Sequence, residues 1–441
     1  MKRYLYFVTF VAALGGLMFG FETAVINGAI FYVAEYFQLN EFMKGLVVST
    51  SLAGCVAGAL AIGRTGDRYG RRYMLKVMAG LFLFSMIATG LATNIWIFII
   101  GRFIGGIAVG GASVLTPMYI SEVSPPHLRG RLVATNQLAI VTGILVAFFS
   151  DYMIDSVLNG SWRWMFLAGV IPSALLWVLL FFITRSPRWL VKTGRTAEAR
   201  QVIAKVNPGE NVEQLVASIR ESLKAETAGR KVKLFRGPML KLAIVGIAIG
   251  MFNQFAGINV IMYYSTDIFR EAGFSSESAL FQSVLIGFTN LLFTILAMTL
   301  IDRFGRKFLL YVGATGMSVF LGLFSWAFIS GNTEGFILLG LLIGYIAFFA
   351  FSQGAVIWVI LSEMFPNTVR SRGTAIGSFS HWIFNFAIAL LFPVVSSKIG
   401  VGPVFVFFTV ATFLSLFFYR FVLVETKGKS LEEIETMMLK K

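Results

Sequence analysis

The 441-residue sequence has few charged residues and few of the residues that build enzyme or metal sites. Asp, Glu, Lys and Arg make up 13% of it, against 57% apolar residues, which excludes an ordinary soluble domain. Its one cysteine, Cys55, cannot form an internal disulfide. The sequence also lacks a His-Glu-x-x-His motif, a Cys/His cluster and a phosphate-binding loop. We therefore expect that the protein is not an enzyme and needs no metal or cofactor.

The sequence contains a series of long apolar runs instead, and its mean hydropathy is +0.79. A bilayer core about 30 Å thick needs about 20 apolar residues per helix. Runs of this length predict an all-α membrane protein with twelve transmembrane helices, six on either side of a polar segment. The predicted spans are 5–30, 43–63, 73–93, 96–121, 131–153, 163–184, 239–264, 280–301, 308–329, 336–361, 373–396 and 402–424.

The polar segment divides the chain into two similar parts. We expect a six-helix bundle over 1–184, a cytoplasmic helical linker over 185–238, a second bundle over 239–424 and a cytoplasmic tail over 425–441. Apolar residues at helical spacing predict short amphipathic helices in the linker. These helices either form a solvated connection or pack as a bundle under both halves.

Positive charge is unevenly distributed along this map. Most of the 37 Lys and Arg fall in loops assigned to one face, which favours a multi-pass protein of the cell (inner) membrane with both termini cytoplasmic. The formal net charge of +15 then reflects topology. Without a nucleic-acid-binding motif or a basic soluble domain, we expect the lipid bilayer and no nucleic acid as a partner.

Two charged motifs occur twice. Asp67–Arg72 is matched by Asp302–Lys307, 235 positions later, and Ser121–Arg131 is matched by Ser362–Arg372, 241 positions later. Two motifs at nearly one offset indicate a duplicated unit. In membrane proteins, duplicated halves are typical of secondary transporters.

The charged residues of these motifs predict ion pairs at the cytoplasmic helix ends. Carboxylates and guanidinium groups pair well, and opening toward the cytoplasm would break such pairs. The alternative is that they only anchor and cap the helices. The predicted gate residues are Asp67, Arg68, Arg71, Glu122, Arg129, Asp302, Arg303, Arg306, Glu363 and Arg370.

Two further charges, Glu22 and Arg102, fall inside predicted spans. An ionised side chain at the bilayer centre costs about 2.5–3.5 kcal/mol, so both should face the bundle interior and pair with each other. Desolvation and a nearby guanidinium act in opposite directions on the proton affinity of a carboxylate. Movement that changes their distance would couple proton binding to transport; the alternative is a fixed pair that orients two helices.

The motifs together are typical of one family. The chain resembles the sugar porters of the major facilitator superfamily over essentially its whole length, and in motif it is most similar to bacterial proton-coupled sugar symporters. The Asp-Arg-x-Gly-Arg box is common to many facilitators, whereas the Gln-x-x-Gly-Ile-Asn, Ser-Pro-Arg-Trp and Glu-Thr-Lys-Gly motifs are specific to sugar porters. The matching segments are Gly63–Arg72, Gly101–Gly106, Ser186–Leu190, Gln254–Asn259, Asp302–Arg306 and Glu425–Gly428.

The resemblance implies the major facilitator fold, with a sugar site at mid-membrane between the halves. Sugar hydroxyls need buried hydrogen-bonding groups, and sugar C–H faces suit aromatic planes. The alternative for each amide is a bond to a neighbouring helix, worth about 0.6 kcal/mol. The motif alignment gives the substrate-binding candidates Gln137, Asn253, Gln254, Asn259, Asn290, Trp358, His381 and Asn385.

The expected function is import of a monosaccharide, a pentose or hexose, with a proton by alternating access. A facilitative sugar or polyol uniporter and a non-transporting sugar receptor are the alternatives. The resemblance implies a functional monomer driven by the proton gradient. The chain departs from the family pattern at several places: Glu22 replaces an aspartate, Asn253 replaces the first glutamine of a pair, Gly169 stands where a relative has a second acid, and the tenth span lacks the usual prolines. Arg185 and Val424 also depart, from an acidic and a proline position.

Overall fold

The structure is a computed structural model that describes residues 3–229, 235, 238–333, 335–365, 369–427, 433 and 437. The side chains of residues 225–229, 238, 302, 335, 362, 370 and 371 also lie outside the described part. Within these limits the chain forms helices and no strands. The helices are α1 Arg3–Tyr36, α2 Glu41–Tyr69, α3 Arg71–Gly90, α4 Ile95–Val123, α5 Arg129–Leu158, α6 Trp162–Ala168, α7 Val170–Leu179, α8 Pro187–Lys192, α9 Thr196–Val206, α10 Val212–Gly229, α11 Pro238–Phe255, α12 Ile258–Glu271, α13 Ser276–Phe304, α14 Arg306–Ser330, α15 Gly335–Phe351, α16 Gln353–Glu363, α17 Arg370–Ile399 and α18 Val401–Phe421.

The predicted number of membrane spans is confirmed. Among the described residues, 12 segments are long and apolar enough to cross a bilayer. Nine are single helices, and three consist of two helices in succession: α6 with α7, α11 with α12, and α15 with α16. The first span is longer than the predicted 5–30 because α1 continues to Tyr36, just before Gln38 turns the chain with a φ of 52°.

Contacts divide the chain into two compact units. Unit 1 comprises Met1–Val25, Thr50–Ala147 and Trp162–Arg230, and unit 2 comprises Ile26–Ser49, Phe148–Ser161 and Lys231–Lys441. Helices α1, α2 and α5 therefore each contribute one end to unit 2 and the rest to unit 1.

In unit 1, α2 and α4 approach each other at backbone distance. A Cβ atom on Gly54 would collide with the carbonyl oxygen of Phe103, and a Cβ on Gly110 would collide with that of Cys55. Small residues permit such close packing of helices in lipid. Cys55, the free thiol of this contact, is fully buried.

The helices of the linker pack on a core of their own within unit 1. This core consists of Leu190, Val191, Ala199, Val202, Ile203, Val206 and Val216. The bundle is attached to the membrane helices by hydrogen bonds from Trp189 Nε1 to Asp67 O, 3.1 Å, and from Asn207 Nδ2 to Val123 O, 3.3 Å. The linker is thus a docked bundle on unit 1. Residues 230–234 and 236–237 of the predicted linker lie outside the described residues.

Candidate functional site

Glu22 on α1 and Arg102 on α4 form an ion pair in the interior of unit 1. Arg102 Nη1 donates to Glu22 Oε1 at 2.7 Å and to the backbone oxygen of Glu22 at 2.8 Å. Each side chain is 1% exposed. Among the described residues, Glu22 Oε2 and Arg102 Nε have no hydrogen-bond partner. Glu22 Oε2 is therefore available to take a proton. If the carboxylate is neutralised, Arg102 can still donate to the backbone oxygen of Glu22.

The surroundings of this pair leave little spare space. A Cβ atom on Gly105 would overlap both Glu22 Oε1 and Ser85 Oγ. The Arg102 guanidinium lies 5.6 Å from the ring centre of Phe166. A Cβ on Gly169 would lie 2.6 Å from Met86 Sδ, so the packing leaves no room there for the second acid of the relative.

Gly105→Ala is expected to lower the stability of the protein by about 1–3 kcal/mol, because the added methyl displaces the Glu22 carboxylate from tightly packed surroundings. Thermal unfolding in detergent measures this effect. The control is Gly80→Ala, where the new Cβ would lie 3.8 Å from Trp177 Nε1, an ordinary contact. Equal unfolding temperatures for the two variants would contradict the prediction.

In unit 2, Gly257 interrupts the seventh span between α11 and α12. Its φ of 82° lies in the left-handed region, which glycine adopts readily and L-residues rarely do. A Cβ at this position would also lie 2.7 Å from the Phe408 ring. Discontinuous helices of this kind are typical of substrate sites in transporters. The Gln-x-x-Gly-Ile-Asn motif therefore supplies both the break and the amides on either side of it.

The amides around the break are joined in a hydrogen-bonded chain. Asn259 Nδ2 donates to Gln254 Oε1 at 2.7 Å, and Gln254 Nε2 donates to Asn253 Oδ1 at 3.1 Å. Gln254 Nε2 also lies 2.9 Å from His381 Nδ1, and the His381 ring centre lies 4.9 Å from that of Trp358. Four polar candidates from two distant segments of sequence, and an aromatic plane, thus meet at one place in unit 2.

The remaining substrate-binding candidates lie elsewhere. Asn385 Nδ2 donates to the Tyr263 hydroxyl at 3.1 Å, one turn along α17 from His381. Asn290 on α13 is buried, at 6% exposure. Gln137 is half-buried on the part of α5 that belongs to unit 1.

The tenth span is broken although it lacks the prolines usual in the family. Helix α15 ends at Phe351, and Ser352 adopts φ −121° and ψ −95° before α16 begins. A Cβ on Gly313 of α14 would collide with the Ser352 side chain, so α14 packs closely against the break. The absence of proline therefore does not make this helix continuous.

The first copy of the charged motifs forms a compact cluster in unit 1. Arg71 is the central cation: it pairs with Asp67 at 2.9 Å and with Glu122 at 3.0 Å. Ser186 Oγ donates to the other oxygen of the Glu122 carboxylate. Lys192 Nζ reaches Asp67 at 2.6 Å. We call Arg71, Glu122 and Ser186 the first triad.

The second copy builds the same arrangement in unit 2. Arg306 pairs with Glu363 at 3.2 Å, and Thr426 Oγ1 donates to the other oxygen of Glu363 at 2.6 Å. This second triad, Arg306–Glu363–Thr426, takes its hydroxyl from the Glu-Thr-Lys-Gly motif, as the first takes its own from Ser-Pro-Arg-Trp. Sequence reasoning missed both hydroxyls. Ser186 and Thr426 are 240 positions apart, close to the offsets of 235 and 241 between the repeated charged motifs. This spacing could have identified them from the sequence.

The other predicted gate residues make different contacts. Arg68 is exposed beside the Tyr69 ring, and Arg129 Nε donates to the backbone oxygen of Ser121 at 3.1 Å. Arg303 lies near the Phe304 ring, and its backbone oxygen accepts from Lys427. The side chains of Asp302 and Arg370 lie outside the described residues. Within the described part of the chain, no group of three or more His, Cys, Asp or Glu is placed to hold a metal ion.

Glu425 connects the tail to the start of α14. Partial burial on its own raises the pKa of the Glu425 carboxyl. Backbone N–H donors of Lys427, Arg306, Lys307 and Thr426 outweigh burial and hold this pKa below its usual range. Their bonds to the carboxylate include 3.0 Å from Arg306 N and 2.9 Å from Lys307 N. Glu425 is therefore an N-terminal cap for α14 supplied from a distant segment.

Glu425→Gln is expected to lower the thermal unfolding temperature at neutral pH, because an amide is a weaker acceptor for these donors than a carboxylate. A folded pKa below the unfolded value means that the stabilisation is present above about pH 4.5 and is lost as the pH falls through the folded pKa. The difference between wild type and variant should therefore shrink on acidification. Glu221→Gln, at an exposed site on α10, is the control. A difference independent of pH would contradict the expectation.

At the opposite end of the helices, unit 2 holds contacts that sequence reasoning missed. Asn27 Oδ1 of α1 accepts from the Thr266 backbone N–H at 3.1 Å and from Ser265 Oγ at 3.2 Å. Lys44 of α2 pairs with Asp267 of α12 at 2.5 Å. These polar contacts hold the ends of α1 and α2 against α12. A lone asparagine inside an apolar run gave no sign of this partner.

A sequence profile of the family described as "Sugar (and other) transporter" matches residues 8–438. The chain is 39% identical to a glucose transport protein of Synechocystis sp., an alignment that covers 98% of this chain and 97% of that protein. It is 35% identical to the arabinose-proton symporter of Bacillus subtilis (98% and 95% covered). It is 36% identical to the D-xylose-proton symporter of Escherichia coli (99% and 96% covered).

Solved structures are similar over the same length. The structure matches the inward open conformation of the E. coli xylose transporter with a TM-score of 0.87 and 34% identity, covering 98% of this chain and 100% of the other. A structure of a major facilitator superfamily proton:xylose symporter bound to a bromodeoxyglucose matches with a TM-score of 0.83 and 35% identity, covering 99% of each chain. The predicted all-α, major facilitator fold is confirmed.

Proposed function

Because the chain belongs to the sugar transporter family, a family of transporters and not of enzymes, we propose that it imports a monosaccharide together with a proton. Relatives of similar length that are named as proton symporters of arabinose and xylose support the substrate class, a pentose or hexose. The observation that carries the proposal is the Glu22–Arg102 pair, buried at 1% exposure, in which one carboxylate oxygen has no partner within the described part of the chain.

Sugar binding is assigned to Gln137, Asn253, Gln254, Asn259, Asn290, Trp358, His381 and Asn385. The hydrogen-bonded chain around Gln254 supports this assignment, because amides present donors and acceptors and a sugar hydroxyl can do both. A hydroxyl that replaces one bond of the chain leaves few buried groups unpaired, which keeps the cost of binding small. The Trp358 and His381 rings offer aromatic surface to the C–H face of a sugar.

Proton coupling is assigned to Glu22 and Arg102. When Glu22 is ionised, the guanidinium bonds both the carboxylate and the Glu22 backbone oxygen. When Glu22 takes a proton on Oε2, its attraction to Arg102 weakens while the backbone bond can remain. A buried glutamic acid is neutral and costs less to move through a low-dielectric interior than a carboxylate. Helix α1 can therefore rearrange relative to α4 after protonation.

Alternating access and topology complete the proposal. We assign the two triads to the cytoplasmic face, as gate contacts that open and close with the cycle, and the Asn27 and Lys44 contacts to the outer face. Both termini are then cytoplasmic in the cell (inner) membrane. The protein works as a monomer, and the proton gradient supplies the energy without a cofactor.

Purified protein in proteoliposomes tests the proposal. Labelled pentoses and hexoses should accumulate when the outside is made acidic, and adding the sugar to weakly buffered vesicles should make the outside more alkaline. If the sugar only equilibrates and the pH does not change, the protein catalyses facilitated diffusion and not symport. Sugar binding without any uptake would indicate a receptor and overturn transport.

A further inference from the structure

Unit 2 contains a second buried carboxyl that the proposed coupling does not use. Asp151, on the part of α5 that belongs to unit 2, is 0% exposed. Among the described residues its carboxyl oxygens have no side-chain hydrogen-bond partner, and the donor beside them is the Gly28 backbone N–H of α1. Asp151 lies seven residues before the end of α5 at Leu158, about 10 Å along the helix. An ionised carboxylate in such a place would be severely unstable.

The carboxyl is enclosed by α1. A Cβ atom on Gly28 would lie 2.6 Å from Asp151 Oδ2 and 2.8 Å from its carboxyl carbon. The glycine thus allows α1 to pack directly on the acid and exclude water from it. The same two helices meet again one turn away, where the Tyr32 hydroxyl donates to Asp155 Oδ1.

The neighbouring groups determine which of the two acids is neutral. Asp151 and Asp155 stand four residues apart on one face of α5, and like charges so close cannot both ionise cheaply in a buried place. Asp155 is 9% exposed and accepts a hydrogen bond from the Tyr32 hydroxyl. Arg270 acts electrostatically on the same Tyr32, and its guanidinium lies over the ring of Phe31. Asp155 therefore has a side-chain donor and some exposure, whereas Asp151 has neither, so burial acts more strongly against a charge on Asp151.

We infer that Asp151 is a proton-binding site that exchanges only with the outer solution, and that its protonation favours the packing of α1 on α5. The outer location rests on the proposed topology. When α1 separates from α5, water reaches the carboxyl and the proton leaves to the same side. This proton is not transported, in contrast to the one carried by Glu22.

Outer pH then controls the position of α1 relative to α5. The packed arrangement holds one more proton than the separated one, so acidification of the outer solution favours packing. Between the proton affinities of the two arrangements, the ratio of packed to separated protein changes by about tenfold per pH unit. The effect needs no change in the number of protons carried per sugar.

The first test is sugar exchange in proteoliposomes, measured against outer pH at fixed inner pH. Asp151→Asn, an isosteric neutral residue, should flatten the dependence on outer pH and leave the proton-to-sugar ratio unchanged. The matched control is Asp155→Asn, which neutralises the neighbouring acid and leaves Asp151 in place, so the dependence on outer pH should remain. An unaltered outer-pH dependence in Asp151→Asn overturns the inference. A changed proton-to-sugar ratio also overturns it, since Asp151 would then carry a transported proton.

The second test needs neither a variant nor transport. Infrared spectra of wild-type protein at neutral pH should show the carbonyl stretch of a protonated carboxylic acid, and this band should move when the protein contains isotopically labelled aspartate. Labelled glutamate separates the bands of glutamic acids, Glu22 among them, from those of aspartic acids. Absence of a protonated aspartate band overturns the inference even if proton-coupled uptake is found. Its presence supports the inference even if the protein proves to be a uniporter.

Discussion

Glu22→Gln is expected to abolish uphill sugar accumulation while sugar exchange across the membrane continues. Glutamine keeps the length of the side chain and can accept the hydrogen bond that Arg102 donates at 2.7 Å, but it cannot take up and release a proton. In proteoliposomes under an acid-outside gradient, the internal sugar concentration should rise only to the external one. Sugar-dependent alkalinisation should be lost in the same preparation.

Glu22→Asp is the matched variant for this experiment. It restores the residue that the family resemblance leads one to expect and keeps the charge, but the carboxylate is shorter by one methylene. Arg102 must then reach further, so we expect slower accumulation with coupling retained. Uphill accumulation by the Glu22→Gln protein would remove Glu22 from the coupling role.

Gln254→Ala is expected to weaken sugar binding by about 10- to 100-fold. The substitution deletes the donor and acceptor at the centre of the amide chain, so a sugar hydroxyl that bonds Gln254 in the complex is left without that partner. Each unpaired group costs about 1–3 kcal/mol, and 1.4 kcal/mol corresponds to a tenfold change in affinity. Titration of the purified protein with the sugars that it transports measures the change.

The control for Gln254 is Gln282→Ala. Gln282 is also a buried glutamine of unit 2, at 6% exposure, and its side chain bonds Ser278 of the same helix at 3.5 Å. It lies outside the amide chain, so its loss should leave sugar affinity within about twofold, a change of about 0.4 kcal/mol. If both variants bind sugar as well as wild type, the chain around Gln254 is structural.

The number of spans was predictable because membrane crossing depends on length and hydropathy, both of which are properties of the sequence. The breaks within spans were harder to predict from the sequence. Gly257 gave a signal through its motif, but Ser352 interrupts the tenth span without proline or glycine at that position. The close approach of Gly313 accompanies that break, and it comes from another helix. Tertiary contacts therefore fix details that local sequence does not specify.

The contacts of the candidate site were also only partly predictable from the sequence. The cost of burying a charge was enough to predict that Glu22 and Arg102 pair, and the structure places them in contact. The coupling and sugar-binding roles remain predictions. Ser186 and Thr426 were missed because hydroxyls are common and their partners Glu122 and Glu363 lie more than 60 positions away. Asp151 was missed because an acid near the end of a span looks like an interfacial residue until its enclosure by α1 is seen.

The burial of Cys55 has a practical consequence. It is the chain's one thiol and has no accessible surface, so maleimide and methanethiosulfonate reagents should not reach it in the folded protein. A single cysteine introduced at an exposed position, such as Tyr36 at the end of α1, can then carry a spin label or fluorophore in an otherwise native background. Spectroscopy on such labels can follow helix movements during a transport cycle.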